Sequence, residues 1–127
     1  DVISVKPDFV YIEFVGNDLR DRVPLHDFAI NMNTMVKKIK DSVHPEIVLM
    51  TMPLFDIPLT KKAIQQYNDV IRKVAKQNDV GCLDIYKAYK DEIGWFGSAS
   101  IYFQSDHIHP NEKGHKLIFE NIWRTIE

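Results

Sequence analysis

Hydrophobic residues fall along this chain in two alternating rhythms. Three short stretches are almost continuously apolar: Phe9 to Val15, interrupted by Glu13; Glu46 to Met52; and Val80 to Asp84. Short runs rich in β-branched and aromatic residues predict strands covered on both faces, as in a parallel sheet. Between and after them the apolar positions take helical spacing. Phe28, Met32, Met35, Val36 and Ile39 mark a helix from Leu25 to about Ser42. Ile64, Tyr67, Val70, Ile71 and Val74 mark a second, starting at Leu59 or Thr60 and ending at Asn78. Leu117, Ile118, Ile122 and Trp123 give the buried face of a last helix, from Asn111 or Glu112 to about Ile126. Ile85 to Tyr89 predicts one helical turn.

The breaks between these elements have their own chemistry. His44-Pro45 ends the first long helix, and Pro53 and Pro58 frame a rigid loop around Leu54-Phe55-Asp56. Gly94-Trp95-Phe96-Gly97-Ser98-Ala99-Ser100 is glycine-rich and aromatic; its rings are expected to plug an edge of the core, with a substrate-facing loop as the alternative.

Strand–helix alternation of this kind predicts right-handed parallel crossovers and a three-layer α/β architecture. At 127 residues the chain is one domain, residues 1–127, without repeats or low-complexity tracts. The first strand is as apolar as a central strand, and an apolar edge strand left open invites aggregation. That imbalance, with an opening Asp1-Val2-Ile3-Ser4-Val5 that lacks methionine and leader, raises the expectation of further sequence before Asp1.

Charge narrows the partners. Sixteen basic against eighteen acidic side chains give a formal net charge of −2, which speaks against a nucleic-acid partner. No apolar run reaches the roughly 20 residues of a membrane span. The single cysteine, Cys82, excludes an internal disulfide and reads as a small buried hydrophobe in a strand. The compartment stays open.

The candidate chemistry lies in Asp106-His107-Ile108-His109-Pro110-Asn111. Pro110 stiffens the backbone at His109, and Asp106 stands three residues before it, within reach of an imidazole nitrogen. Such a carboxylate–imidazole pair is the acid–base half of a nucleophilic triad. A metal site is the alternative, since His107, His109, His115 and Asp106 supply N and O ligands; in an extended segment His107 and His109 would point the same way and Asp106 the opposite way. A second polar stretch, Gly16-Asn17-Asp18, follows the first strand, at the end where α/β sheets bind ligands.

Pro7-Asp8-Phe9-Val10-Tyr11-Ile12-Glu13-Phe14-Val15-Gly16-Asn17-Asp18, together with Asp106-x-x-His109-Pro110, resembles the SGNH, or GDSL-like, hydrolase family of serine esterases and lipases. The resemblance covers nearly the whole chain and implies a flavodoxin-like parallel sheet. It implies that His109 is the general base, Asp106 its orienting acid and Asn17 an oxyanion donor. Gly16 and Asp18 would border the substrate, Asp18 also bracing the loop. The implied substrate is a small-molecule, carbohydrate or lipid ester, with no cofactor and no metal. Val15 stands where the family's block has glycine, a gap that Gly16 is expected to fill by keeping the turn flexible. The Gly-Asp-Ser block is absent, and Ser4, Ser42, Ser98, Ser100 and Ser105 all lack its context. The nucleophile is therefore expected in an N-terminal segment of the same protein. The rival readings are a catalytically inactive SGNH-like binding module and a histidine-metal hydrolase.

Overall fold

Three short strands do form, each where an apolar run predicts one. In a computed structural model describing residues 2–57 and 60–126, β1 (Phe9–Ile12), β2 (Glu46–Met50) and β3 (Gly81–Leu83) make one parallel sheet in the order β1-β2-β3. Phe9 stands opposite Glu46 and Val48 opposite Gly81. The helices are α1 (Val2–Val5), α2 (Gly16–Arg20), α3 (Leu25–Val43), α4 (Lys61–Asn78), α5 (Ile85–Ile93) and α6 (Glu112–Ile126), with a 3-10 turn at Ala99–Tyr102. Pro58 and Leu59, within the expected proline-framed loop and helix start, lie outside the described residues.

Alternation along each strand separates two cores. Val10 and Ile12 of β1 and Ile47 and Leu49 of β2 pack against Phe28, Met32, Val36 and Ile39 of α3 and Ile64, Ile71 and Val74 of α4. Met50 and Tyr11 turn to the opposite face, toward Ile85 and Tyr89 of α5 and Leu117, Ile118 and Ile122 of α6. These are the expected three layers. No helix among the described residues is long and apolar enough to cross a membrane.

The strands are shorter than the apolar runs that announce them, and their second face is thinly covered. Pairing in β1 stops at Ile12, and Phe14 beyond it is 62% exposed. Phe9 and Tyr11 are half-buried, because β1 is an edge strand and the cover there is the far end of α6. The Tyr11 hydroxyl meets the Thr125 hydroxyl and donates to the Ile122 carbonyl at 3.5 Å. The expected buried face of α6 is correspondingly weak. Leu117, Ile118 and Ile122 are only half-buried, and Trp123 is exposed, stacked on Phe119. Cys82 sits in β3 as expected, but exposed rather than buried, since β3 is the other edge.

The aromatic loop also departs from expectation. Trp95 and Phe96 are 92% and 98% exposed, so they plug nothing. Beside them Gly97 lies so close to the Ile93 carbonyl that a Cβ would come within 2.0 Å of its oxygen. The loop turns back on α5 there, with both rings outside.

What begins α5, and makes it nine residues rather than one turn, is Asp84. Its carboxylate accepts the Lys87 N–H at 3.0 Å as an N-cap, the Thr51 hydroxyl at 3.1 Å, and two guanidinium N–H groups of Arg72 at 2.9 and 3.1 Å. Thr51, fully buried, in turn accepts the Tyr86 N–H at 3.0 Å. Partial burial alone would raise the Asp84 pKa, but Arg72, the Lys87 amide and Thr51 hold it below the ordinary carboxylate range. A depressed folded-state pKa stabilises above the unfolded value and is lost as pH falls. Asp84→Ala should therefore cost about 2 kcal/mol in urea unfolding at neutral pH. The gap to the wild type should close as the pH is lowered below about 4. An equal gap at both pH values would assign the effect to packing instead.

Candidate active site

Three loops meet beyond the carboxyl ends of the strands, where the α/β architecture leaves room for a ligand. They are the α2 turn after β1, the Pro53–Ile57 segment after β2, and the loop between the 3-10 turn and α6. Between them lies an open cleft of about 1210 Å³ whose walls include Gly16, Asn17, Asp18, Phe55, Ile108 and His109.

The loop carrying His109 is closed at its base. Phe103 pairs with Pro110 in an isolated antiparallel bridge, and the Gln104 N–H donates to the His109 carbonyl at 2.8 Å. Asn111 then locks the exit. Its amide nitrogen donates to the Ile101 and Phe103 carbonyls, both at 3.0 Å, while its Oδ1 accepts the Gly114 N–H at 3.1 Å and caps α6. Beneath the loop, the rings of Tyr89, Tyr102 and Phe103 pack at 5.5–5.6 Å. Gly114 lets α6 approach this cluster: a Cβ there would lie 2.3 Å from the Tyr102 carbonyl oxygen and 2.9 Å from Pro110.

Within the closed loop Asp106 and His109 are paired. The His109 Nδ1–H donates to Asp106 Oδ2 at 2.6 Å, and Asp106 Oδ1 accepts the N–H groups of Ile108 and His109, each at 2.9 Å. The His109 ring and these two amides hold the Asp106 carboxyl far below its ordinary range, so it is ionised at neutral pH. A carboxylate only accepts, which places a proton on Nδ1 and makes Nε2 the accepting nitrogen of the neutral ring. The ring is 71% exposed and His109 lines the cleft.

The segment is not extended, and the expected directions of its side chains change accordingly. His107 has φ +63° and donates its N–H to the Gln104 carbonyl at 3.0 Å, forming a tight turn. Its ring turns away from His109 to Asp56, with Nδ1 2.9 Å from Oδ2. The two histidines thus serve two different carboxylates. Among the described residues no group of three or more His, Cys, Asp or Glu side chains could hold a metal ion.

Asn17, exposed on α2, lines the same cleft. The α2 turn is held by its main chain. The Leu19 N–H donates to the Val15 carbonyl at 2.9 Å, and the Asp18 carbonyl accepts the Val23 N–H at 2.9 Å and the Tyr67 hydroxyl at 3.4 Å. Tyr67 also donates to the Val23 carbonyl, pinning the turn to α4. Val15 is buried at the helix start with an ordinary negative φ, and Gly16 does not use a positive one. The expected flexibility of Gly16 is therefore not what the turn draws on. A Cβ at Gly16 would meet nothing within 4 Å.

Sequence reading overlooked the residues that hold the walls. Asn68 is fully buried, and its amide accepts the Met52 N–H at 2.8 Å and donates to the Met52 carbonyl at 3.2 Å, fixing the chain just before Pro53. An asparagine inside the apolar stripe of α4 was the available signal. Asp56 carried none, since its partner lies 51 residues away. No serine is among the described residues lining the cleft.

The sequence profile of the GDSL-like Lipase/Acylhydrolase family matches residues 1–117. The chain belongs to this family. It is similar to the isoamyl acetate-hydrolyzing esterase 1 homologs of Bos taurus, at 26% identity, and Homo sapiens, at 28%; either alignment covers 95% of the chain and 56% of the relative. Among solved structures it resembles a lipase/acylhydrolase from Enterococcus faecalis, with 27% identity, a TM-score of 0.83, and coverage of 98% of this chain and 64% of that one. An acetylxylan esterase from Geobacillus stearothermophilus shares the fold, with a TM-score of 0.83 at 24% identity over 98% of this chain and 61% of the other. The chain thus spans a little over half the length of its curated relatives.

Gly114 sets how closely α6 approaches the loop that carries His109. On an open helix Gly→Ala stabilises by up to about 1 kcal/mol. Gly114→Ala should do the reverse, lowering stability by about 2–3 kcal/mol in denaturant unfolding, because the methyl group collides with backbone. A stabilised variant would mean that α6 sits farther from the loop.

Proposed function

We propose that the protein hydrolyses carboxylic esters through a serine acyl-enzyme for which this chain supplies the acid–base pair and an oxyanion donor. The observation that carries the reading is the Asp106–His109 pair, 2.6 Å apart, with Nε2 free beside a cleft that Asn17 also lines. Asp106 orients the ring and stabilises the imidazolium, while His109 takes the proton of the attacking hydroxyl. The Asn17 side-chain amide then donates to the tetrahedral oxyanion. His109 returns the proton to the leaving alcohol, and water repeats the sequence on the acyl-enzyme.

The nucleophilic serine in this proposal comes from an N-terminal segment of the same protein, on a strand that adds to the free edge of β1. That strand would also cover Phe14 and wall in the exposed His109 ring. Gly16 and Asp18 border the substrate, Gly16 by leaving space and Asp18 by bracing the turn through its carbonyl. The substrate class is a small acyl or acetyl ester of an alcohol, sugar or lipid. Support for small esters comes from the relatives named as homologs of an isoamyl acetate-hydrolyzing esterase.

In the full-length protein, Asn17→Ala should lower kcat on p-nitrophenyl acetate by about 10²–10³ with little change in melting temperature. A loss confined to KM would make Asn17 a binding residue. His109→Ala should remove turnover altogether. Asp106, held ionised well below the ordinary carboxylate range, should add no acid limb of its own to kcat/KM. Full-length protein that binds but never cleaves such esters would favour the inactive binding module.

A further inference from the structure

His107 has φ +63°, a left-handed conformation uncommon outside glycine, although histidine takes it more readily than most residues. Two contacts keep it there. Its N–H donates to the Gln104 carbonyl at 3.0 Å, and its ring Nδ1–H donates to Asp56 Oδ2 at 2.9 Å. Asp56 belongs to the segment after β2, and its neighbours Phe55 and Ile57 line the cleft; His107 directly precedes Ile108 and His109, which line it from the other side. Neither His107 nor Asp56 is itself a lining residue. The pair therefore joins two cleft-lining segments without itself lining the cleft.

We propose that His107 and Asp56 form a clasp that positions His109, a role that rests on the reading of His109 as the general base. Phe55 and Phe103 already touch edge-on at 6.0 Å, which gives the two loops one fixed point near the loop base. Leu54 packs on the same cluster, so these apolar contacts fix the base of the loop rather than its tip. The His107–Asp56 bond supplies a second point nearer the tip, two residues from His109. Releasing the ring removes the tie and lets the left-handed residue reorient. The Ile108 and His109 peptides, whose N–H groups bind Asp106, would then move. The base of the loop, held by the Phe103–Pro110 bridge and Asn111, would stay. The clasp thus affects the reach of Nε2 rather than the fold.

The test uses the full-length protein and p-nitrophenyl acetate. His107→Gly removes the ring while permitting the left-handed backbone, His107→Asn keeps that backbone tolerance with a donor amide, and Asp56→Ala removes the acceptor. His107→Gly and Asp56→Ala should each lower kcat about tenfold, with KM changed by less than about twofold and melting temperature nearly constant. The double variant should be no slower than either single, because both remove one interaction, and His107→Asn should recover much of the loss. Single variants within about twofold of wild type, or a double-variant loss equal to the product of the two singles, would overturn the clasp. His109→Ala is the control. If it is inactive while His107→Gly is not impaired, only the clasp fails; if it retains turnover, the assignment of the base fails and the clasp with it.

Discussion

The Asp106 carboxylate is the contact on which the candidate site depends. One oxygen accepts two successive main-chain N–H groups and the other accepts the His109 ring. The same charge therefore folds the loop and fixes the imidazole tautomer at a residue that lines the cleft. This works only while Asp106 is ionised, and its three donors keep it so. Because the pair is exposed, its value lies in geometry more than in stability. The rest of the molecule serves that geometry. The aromatic cluster under the loop, the Asn111 cap and the close approach at Gly114 hold the loop against α6, while Tyr67 and Asn68 of α4 hold the two facing walls.

Much of this could be read from the chain, and the limits have physical causes. The strands and long helices were legible because burial imposes period, and each apolar run or stripe became an element in the expected order. The Asp106–His109 pairing was legible because three residues before a proline form a local geometry. What escaped was either long-range or a matter of edges. Asp56 meets His107 across 51 residues, and no local pattern encodes that. His107 was misdirected because an extended segment was assumed where a left-handed turn occurs. Phe14, Trp95, Phe96 and Trp123 were read as buried because they are large and apolar, yet an apolar residue is buried only if something covers it.

That last group bears on function. Phe14 follows an edge strand, Phe119 and Trp123 stack on the outer face of α6, and His109 is open to solvent. A serine triad needs its imidazole walled in and its nucleophile on a rigid turn. In the proposed enzyme one added strand on β1 answers both needs, since it brings the serine and the missing wall together. Membership of the GDSL-like family gives the fold, and in the proposed enzyme the walls around the cleft would choose the ester.

The most direct test is to treat the full-length protein with a serine-reactive phosphonate ester and solve the structure of the adduct. The account predicts phosphorus on a serine upstream of Asp1, at the end of a strand paired with β1. His109 Nε2 should lie within about 3 Å of that serine's Oγ and the Asn17 amide beside the phosphonyl oxygen. An adduct on Ser105, or on any serine whose Oγ His109 does not face, would contradict it.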